Sequence, residues 1–308
     1  MRKVRLMVEI TNRCNLKCST CFSHQDGRAK NDISLKDFIK LIDRNIDHIS
    51  HLSLYNYGEP LLSRSICGMI RYAKNAGIKY IKVATNGMLL TRQKAMALVD
   101  SGLDCISISL DGASQSAYRE FRIGGNFKRV VQNIERLVTI RNKARSCLKI
   151  EIQFIIMRHN EQEIASIKTW AEKWGVDTLR LKTVLIKKSK WSYLLPKNND
   201  YNRYAGTRPK KVCFKPREEL VINSDGTVIP CCYIVGQDIK KYQLGNIFET
   251  TLEEILKTGA YSRFVTNCLT NKSRNTSCKD CNEGNLKLDY QVIHFPGDGR
   301  PCYEDRPV

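Results

Sequence analysis

Apolar and polar positions along the first part of the chain follow two alternating periods. Short runs rich in β-branched residues, at 4–10, 51–57, 80–85, 105–110, 148–156 and 178–184, read as strands. Between them, residues 34–49, 64–76, 91–101, 127–141 and 161–174 carry apolar side chains at helical spacing. Ser34 is an expected N-cap, with Asp37 in the capping-box position, and Gly77, Gly102 and Gly175 close three of the helices. Six strands alternating with helices predict an α/β fold with a parallel sheet and right-handed crossovers. Curled, such a sheet is a partial (β/α)6 barrel of TIM type, with its chemistry at the C-terminal strand ends.

The alternation stops after residue 184. Residues 186–212 are basic and polar, with Pro196, Pro209 and scattered aromatics, and read as a linker. The tail, 213–308, is Cys-rich, with a hairpin signal at Ser224-Asp225-Gly226 and short helical patterns at 251–258 and 260–266. The expected organisation is therefore 1–185, barrel; 186–212, linker; 213–308, small Cys-rich extension.

Composition narrows the class. No run of 18 apolar residues is present, and the first residues lack a signal-peptide core, so a cytoplasmic chain with no membrane partner is expected. Thirteen cysteines in such a chain point to metal ligands or core thiols rather than disulfides. The net charge of +20 suits acidic partners, whether nucleic acid, a phosphorylated substrate or an acidic electron donor; a plain Lys-rich solvated surface accounts for it equally. Between Lys187 and Arg217 ten basic residues face the single acid Asp200.

The densest chemistry is Cys14, Cys18 and Cys21, spaced CxxxCxxC on a loop leaving the first strand. Three thiolates on one loop can converge on zinc, an iron–sulfur centre or a redox pair. A zinc site needs a fourth ligand, and His24 is the one close candidate.

Downstream, Gly58-Glu59-Pro60, Thr85-Asn86-Gly87 and Ser107-Ile108-Ser109-Leu110-Asp111-Gly112 follow or close later strands in order. Together with the Cys loop, this set closely resembles the radical S-adenosylmethionine (SAM) superfamily over residues 4–185. The resemblance implies a [4Fe–4S] cluster on Cys14, Cys18 and Cys21, with SAM chelating its open iron and splitting to a 5′-deoxyadenosyl radical. It assigns Gly58 and Glu59 to the SAM amino group, and Ser109 and Asp111 to SAM or its ribose. Arg122 falls to the SAM carboxylate and Gln153 to the adenosine. A solvated turn for Glu59, a surface charge for Arg122 and an ordinary rim Gln for Gln153 are the plain alternatives. Thr20 stands where many members carry an aromatic, and Phe22 lies one place beyond the third Cys. Cys67, Cys105 and Cys147 read as structural.

The tail pattern Cys213-x17-Cys231 with Cys278-x2-Cys281, and Gly226 five positions before Cys231, resembles the SPASM extension or its shortened twitch form. Four thiolates imply one auxiliary [4Fe–4S] cluster on Cys213, Cys231, Cys278 and Cys281; zinc on the same thiolates is the runner-up. Cys232 is expected to point away from the cluster of Cys231, since neighbours on a strand alternate faces. Cys268 is either core filler or a thiol donating a hydrogen atom to a substrate radical, with Cys302 behind it. The expected activity is hydrogen abstraction from a sugar, aminocyclitol, other small molecule or peptide, ending in oxidation or epimerisation. Flavodoxin or ferredoxin is the expected type of electron donor. The rival from another class is a non-catalytic basic metal-binding protein on nucleic acid, which leaves the ordered strand-end motifs without a role.

Overall fold

The computed structural model describes residues 3–25, 27–205, 211–281 and 289–296. Ten strands run in chain order as β1 (Val4–Val8), β2 (Ile49–Ser53), β3 (Ile81–Thr85), β4 (Cys105–Ser109), β5 (Lys149–Ile156), β6 (Thr178–Thr183), β7 (Glu219–Ile222), β8 (Thr227–Ile229), β9 (Gly245–Asn246) and β10 (Asp289–His294). The helices are α1 (Leu35–Asn45), α2 (Ile66–Asn75), α3 (Arg92–Val99), α4 (Gln115–Phe121), α5 (Phe127–Lys143), α6 (Ile164–Trp174), α7 (Lys215–Glu218), α8 (Asp238–Tyr242), α9 (Leu252–Lys257) and α10 (Gly259–Asn271). Every strand and helix expected before residue 185 has a counterpart.

The ends of these elements are set by specific groups. Ser34 caps α1 by accepting the Asp37 N–H at 3.1 Å, and its own hydroxyl donates to the Asp37 carboxylate. That is the expected cap, except that the acid takes the hydroxyl. The α4 helix was not legible from periodicity, being only seven residues long. Ser114 caps it, and Glu163 holds that corner by accepting from the Ala113 N–H and the Ser114 hydroxyl.

The chain folds into two compact units, each built from two stretches of sequence. One comprises Met1–Ile81 and Arg203–Leu288. In it β1 lies between two parallel neighbours, β2 and β7, and β8 and β9 extend the sheet antiparallel from β7. The tail therefore enters the same sheet as the first strand. Val4, Leu6 and Val8 of β1 and Leu220, Val221 and Ile222 of β7 are almost fully buried, and burying both edges of β1 removes an exposed ladder.

The other unit comprises Lys82–Asn202 and Asp289–Val308. Strands β3, β4, β5 and β6 are parallel in that order, and β10 closes the edge antiparallel to β6. The first part of the basic stretch docks here rather than running free. Trp191 and Leu194 are buried, and Glu161 accepts backbone N–H bonds from Lys197 and Asn198. Cys105 is buried as expected, but Cys147 is exposed before β5 and so is not core filler. Among the described residues no helix is long and apolar enough to cross a membrane.

Candidate functional site

The loop carrying Cys14, Cys18 and Cys21 leaves β1 through residues that are buried although polar. Glu9 is fully buried and accepts a two-pronged bond from Arg28, at 2.7 and 2.8 Å. The same carboxylate accepts the Ser224 N–H at 3.1 Å, and Asn31 donates to the Ser224 carbonyl at 2.7 Å. A fork of this kind fixes direction as well as distance. The start of the Cys loop is thus braced to the hairpin between β7 and β8.

Within the loop, the Cys21 N–H bonds the Cys18 carbonyl at 3.1 Å, closing a tight turn between the second and third Cys. All three are half-buried, and no described cysteine is in a disulfide. Burial pushes the Cys14 thiol up to about 12, with Glu59, Cys18 and Cys21 adding to the rise against a lowering bond from the Leu16 N–H. His24, the one nearby imidazole, is spent on the Leu16 carbonyl at 2.7 Å. Phe22 is buried and packs edge-on to Tyr57, ring centres 5.8 Å apart.

Gly58 explains how the second motif reaches this loop. It has φ +98, and a Cβ there would lie 2.1 Å from the Thr11 carbonyl oxygen. Only glycine permits that approach. It lets the Glu59 N–H bond the Arg13 carbonyl at 2.7 Å, while the Glu59 carboxylate accepts the Leu61 N–H. Glu59 is 1% exposed and its charge acts on Cys14. It is no solvated turn residue.

In the other unit Asp111 is fully buried at the end of β4. One oxygen accepts from Arg122, the other from the Ile155 N–H at 2.7 Å, and Asn160 bonds its carbonyl. Asp111 thus holds Arg122, which itself is largely buried rather than a loose surface charge. Ser109 and Gln153 stand opposite one another on β4 and β5, both half-buried, and Lys182 of β6 donates to Gln153 at 3.4 Å.

One step back along the same strands lies a group the sequence reading missed. Glu151 is buried, accepting from Ser107 at 2.6 Å, Lys82 at 2.9 Å and Arg180 at 2.9 Å. Burial raises its pKa, but the charges of Lys82 and Arg180 and the Ser107 hydroxyl outweigh that and hold it at about 2. The sequence signal was an acid between Ile150 and Ile152, on the strand face it shares with Lys149 and Gln153.

In the tail, Met7, Val221, Ile229, Ile234, Ile239, Phe264 and Cys268 form one buried cluster, with Cys213, Cys231, Cys232 and Cys278 packed against it. The Cys213 N–H bonds the Cys268 carbonyl at 2.7 Å, and the Cys281 N–H bonds that of Cys278. Gly226 lies in the hairpin with φ +85, where a Cβ would fall 2.3 Å from Asn246 Oδ1. Cys231 and Cys232 sit in a turn after β8 ends at Ile229. The strand alternation expected to separate them does not apply, and both pack on the same core. Cys268 is 1% exposed, accepts from Asn275 at 3.3 Å and is hydrogen-bonded to Cys278. Cys302 lies outside the described residues.

Among the described residues no three His, Cys, Asp or Glu side chains converge as a ready site for one metal ion. A cube of four irons makes a different demand, since each thiolate meets its own iron. Three thiols on one braced loop, and several more on one apolar core, have the donor chemistry for such clusters.

The match to known proteins agrees with this construction. The radical SAM superfamily model matches residues 8–170, and the chain belongs to that superfamily. Residues 213–282 match the SPASM iron–sulfur cluster-binding domain. Membership brings a [4Fe–4S] cluster with SAM, and the SPASM region brings auxiliary iron–sulfur binding.

The tungsten-containing aldehyde ferredoxin oxidoreductase cofactor-modifying protein of Pyrococcus furiosus is 24% identical over 90% of this chain and 86% of that protein. A probable GTP 3′,8-cyclase of Methanococcus maripaludis is 30% identical, but the match covers 56% of this chain and 57% of that protein. Among solved structures, anSMEcpe with bound AdoMet and the Kp18Cys peptide superposes with TM-score 0.67 at 20% identity, over 93% of this chain and 92% of that one. BtrN in complex with AdoMet and 2-DOIA superposes with TM-score 0.58 at 16% identity, over 95% and 100%. These structures share the fold: an α/β partial barrel with a C-terminal extension.

Proposed function

We propose that this chain abstracts a hydrogen atom from a carbon of a small-molecule or peptide substrate. Cys14, Cys18 and Cys21 would hold the SAM-binding cluster, and one auxiliary [4Fe–4S] cluster would sit on Cys213, Cys231, Cys278 and Cys281. The observation that carries this reading is the contact Gly58 permits, which puts buried Glu59 against the Cys loop. When bound, the cluster and SAM supply a one-electron cleavage of SAM to methionine and a 5′-deoxyadenosyl radical.

The chain's own groups bind and orient. Glu59 accepts hydrogen bonds from the SAM ammonium. Arg122, aimed by Asp111, presents a fork to the SAM carboxylate. Ser109 and Gln153 offer polar contacts to the nucleoside. An acidic electron donor of flavodoxin or ferredoxin type suits the net charge of +20. The segments 1–185, 186–212 and 213–308 remain the proposed functional division, although β7 of the last pairs with β1 of the first.

The test is anaerobic reconstitution followed by reduction with SAM. Wild type is expected to form 5′-deoxyadenosine, and the Cys14→Ala/Cys18→Ala/Cys21→Ala protein to form none. Deoxyadenosine from the triple variant, or zinc without sulfide in the wild type, overturns the reading.

A substrate radical has two ends in this scheme. Oxidation would need loss of a proton and an acceptor for one electron, which a cluster held by Cys213, Cys231, Cys278 and Cys281 would supply. Epimerisation would need a hydrogen atom from a thiol, whose thiyl radical an external one-electron donor would restore. Cys268 is the thiol proposed for the second. Its burial and its bond to Cys278 favour the first, with Cys268 packing beside a cluster ligand. Cys268→Ser is then expected to keep turnover and give a product two hydrogens lighter than substrate. Loss of turnover with both clusters intact, and one solvent deuterium in the wild-type product, would instead make Cys268 the hydrogen donor.

A further inference from the structure

The apolar stripe of α10 runs through Tyr261, Phe264, Val265 and Cys268, all buried. Four residues beyond Cys268, where the next apolar side chain belongs, stands Lys272. A lysine in such a place normally reaches out to water with its ammonium. Lys272 does not: the residue is 2% exposed. Its ammonium donates to the backbone carbonyl of Cys281. Its charge acts on Cys213, Cys268 and Cys278 together, placing it among the tail thiols.

A buried cation needs a compensating anion, because its desolvation costs several kcal/mol on the order of magnitude. Among the described residues no carboxylate pairs with Lys272; its one hydrogen-bond acceptor is a neutral carbonyl. Lys215, also near tail thiols, is different, since Glu219 sits 3.2 Å from its ammonium. With neutral thiols, Lys272 has no ion-pair partner among the described residues; Asp238 acts on Cys278 without pairing with Lys272. Thiolates on a metal centre of net negative charge compensate it.

We infer that Lys272 is the built-in counter-charge of the auxiliary cluster, stabilising its reduced, more negative state. The inference rests on the auxiliary-cluster reading above and adds a residue that carries no thiol and binds no iron. Asn275 works beside it as a neutral donor, bonding the Cys268 sulfur and the Phe264 carbonyl.

The test uses the full chain in the Cys14→Ala/Cys18→Ala/Cys21→Ala background, so that only auxiliary iron remains. Iron and sulfide are counted, and the cluster's reduction is titrated by electron paramagnetic resonance. Lys272→Met and Lys272→Gln are each expected to weaken one-electron reduction about tenfold, a fall of about 59 mV. Lys272→Arg is expected to stay near the parent. Gln keeps a donor for the Cys281 carbonyl without the charge, so it separates the two roles. Parental iron with parental potential in both Met and Gln overturns the inference. If Met loses the cluster, loss in Gln with retention in Arg supports it, and Gln retaining iron at the parental potential overturns it. A parent without auxiliary iron would overturn the auxiliary reading as well, which the iron count shows separately.

Discussion

Arg122 is held by Asp111, and the pair shows how much of a side chain's behaviour lies in its partner. Asp111 is fully buried and has both oxygens occupied, so in the proposed SAM site its part would be to hold the guanidinium in place. Arg122→Lys keeps the positive charge beside Asp111 but removes the planar fork. It is expected to weaken SAM binding by about 1.5–3 kcal/mol, with a melting temperature near wild type. Asp111→Ala, by contrast, strands a largely buried guanidinium and is expected to cost about 3–5 kcal/mol of stability. Calorimetric SAM titration together with thermal melts separates the two effects. Unchanged SAM affinity in Arg122→Lys would remove the fork from the binding site. From sequence, the family resemblance marked the arginine, but nothing local marked Asp111 as the group that holds it.

At the level of elements, the charged ladder of β3, β4, β5 and β6 makes a prediction of its own. Lys82, Ser107 and Arg180, from three of four neighbouring parallel strands, all donate to Glu151 on the fourth. Glu151 has its pKa held at about 2, below its ordinary 4.5. A carboxyl depressed on folding contributes stability that is fully present above pH 4.5 and is lost as pH falls towards 2. The contribution is about 3 kcal/mol. The stability gap between wild type and Glu151→Gln, from denaturant midpoints, should therefore shrink as pH drops from 7 towards 3. Taking the difference cancels acid effects common to both proteins. A gap that stays constant with pH would place the value of Glu151 in packing alone. The strands themselves were legible from β-branched runs; the ladder was not, because it joins side chains 29 to 69 positions apart in sequence.

On the scale of the whole molecule, the first Cys loop and the tail thiols belong to one compact unit. Tyr57 touches both: its ring packs on Phe22, and its hydroxyl donates to the Cys232 carbonyl at 3.1 Å. The two four-iron clusters proposed above predict about eight irons per reconstituted chain. Cys278→Ala/Cys281→Ala should lose about half of them and keep SAM cleavage uncoupled from turnover. Mössbauer iron counts check this, and a full complement in that variant would point to other ligands, Cys268 first. The sequence by itself determined what depends on near neighbours: the alternation of strand and helix, the CxxxCxxC loop, the glycine before Glu59 and the paired tail thiols. Periodicity and spacing are short-range properties, and the backbone obeys them wherever the segment ends up. The tertiary structure decided what depends on distant partners. It set β7 beside β1, tied Glu9 to Ser224 across 215 positions, locked Arg122 onto Asp111 and buried Lys272 among thiols. Each of these hinges on which polar groups lose water together, and that is fixed only when remote segments pack.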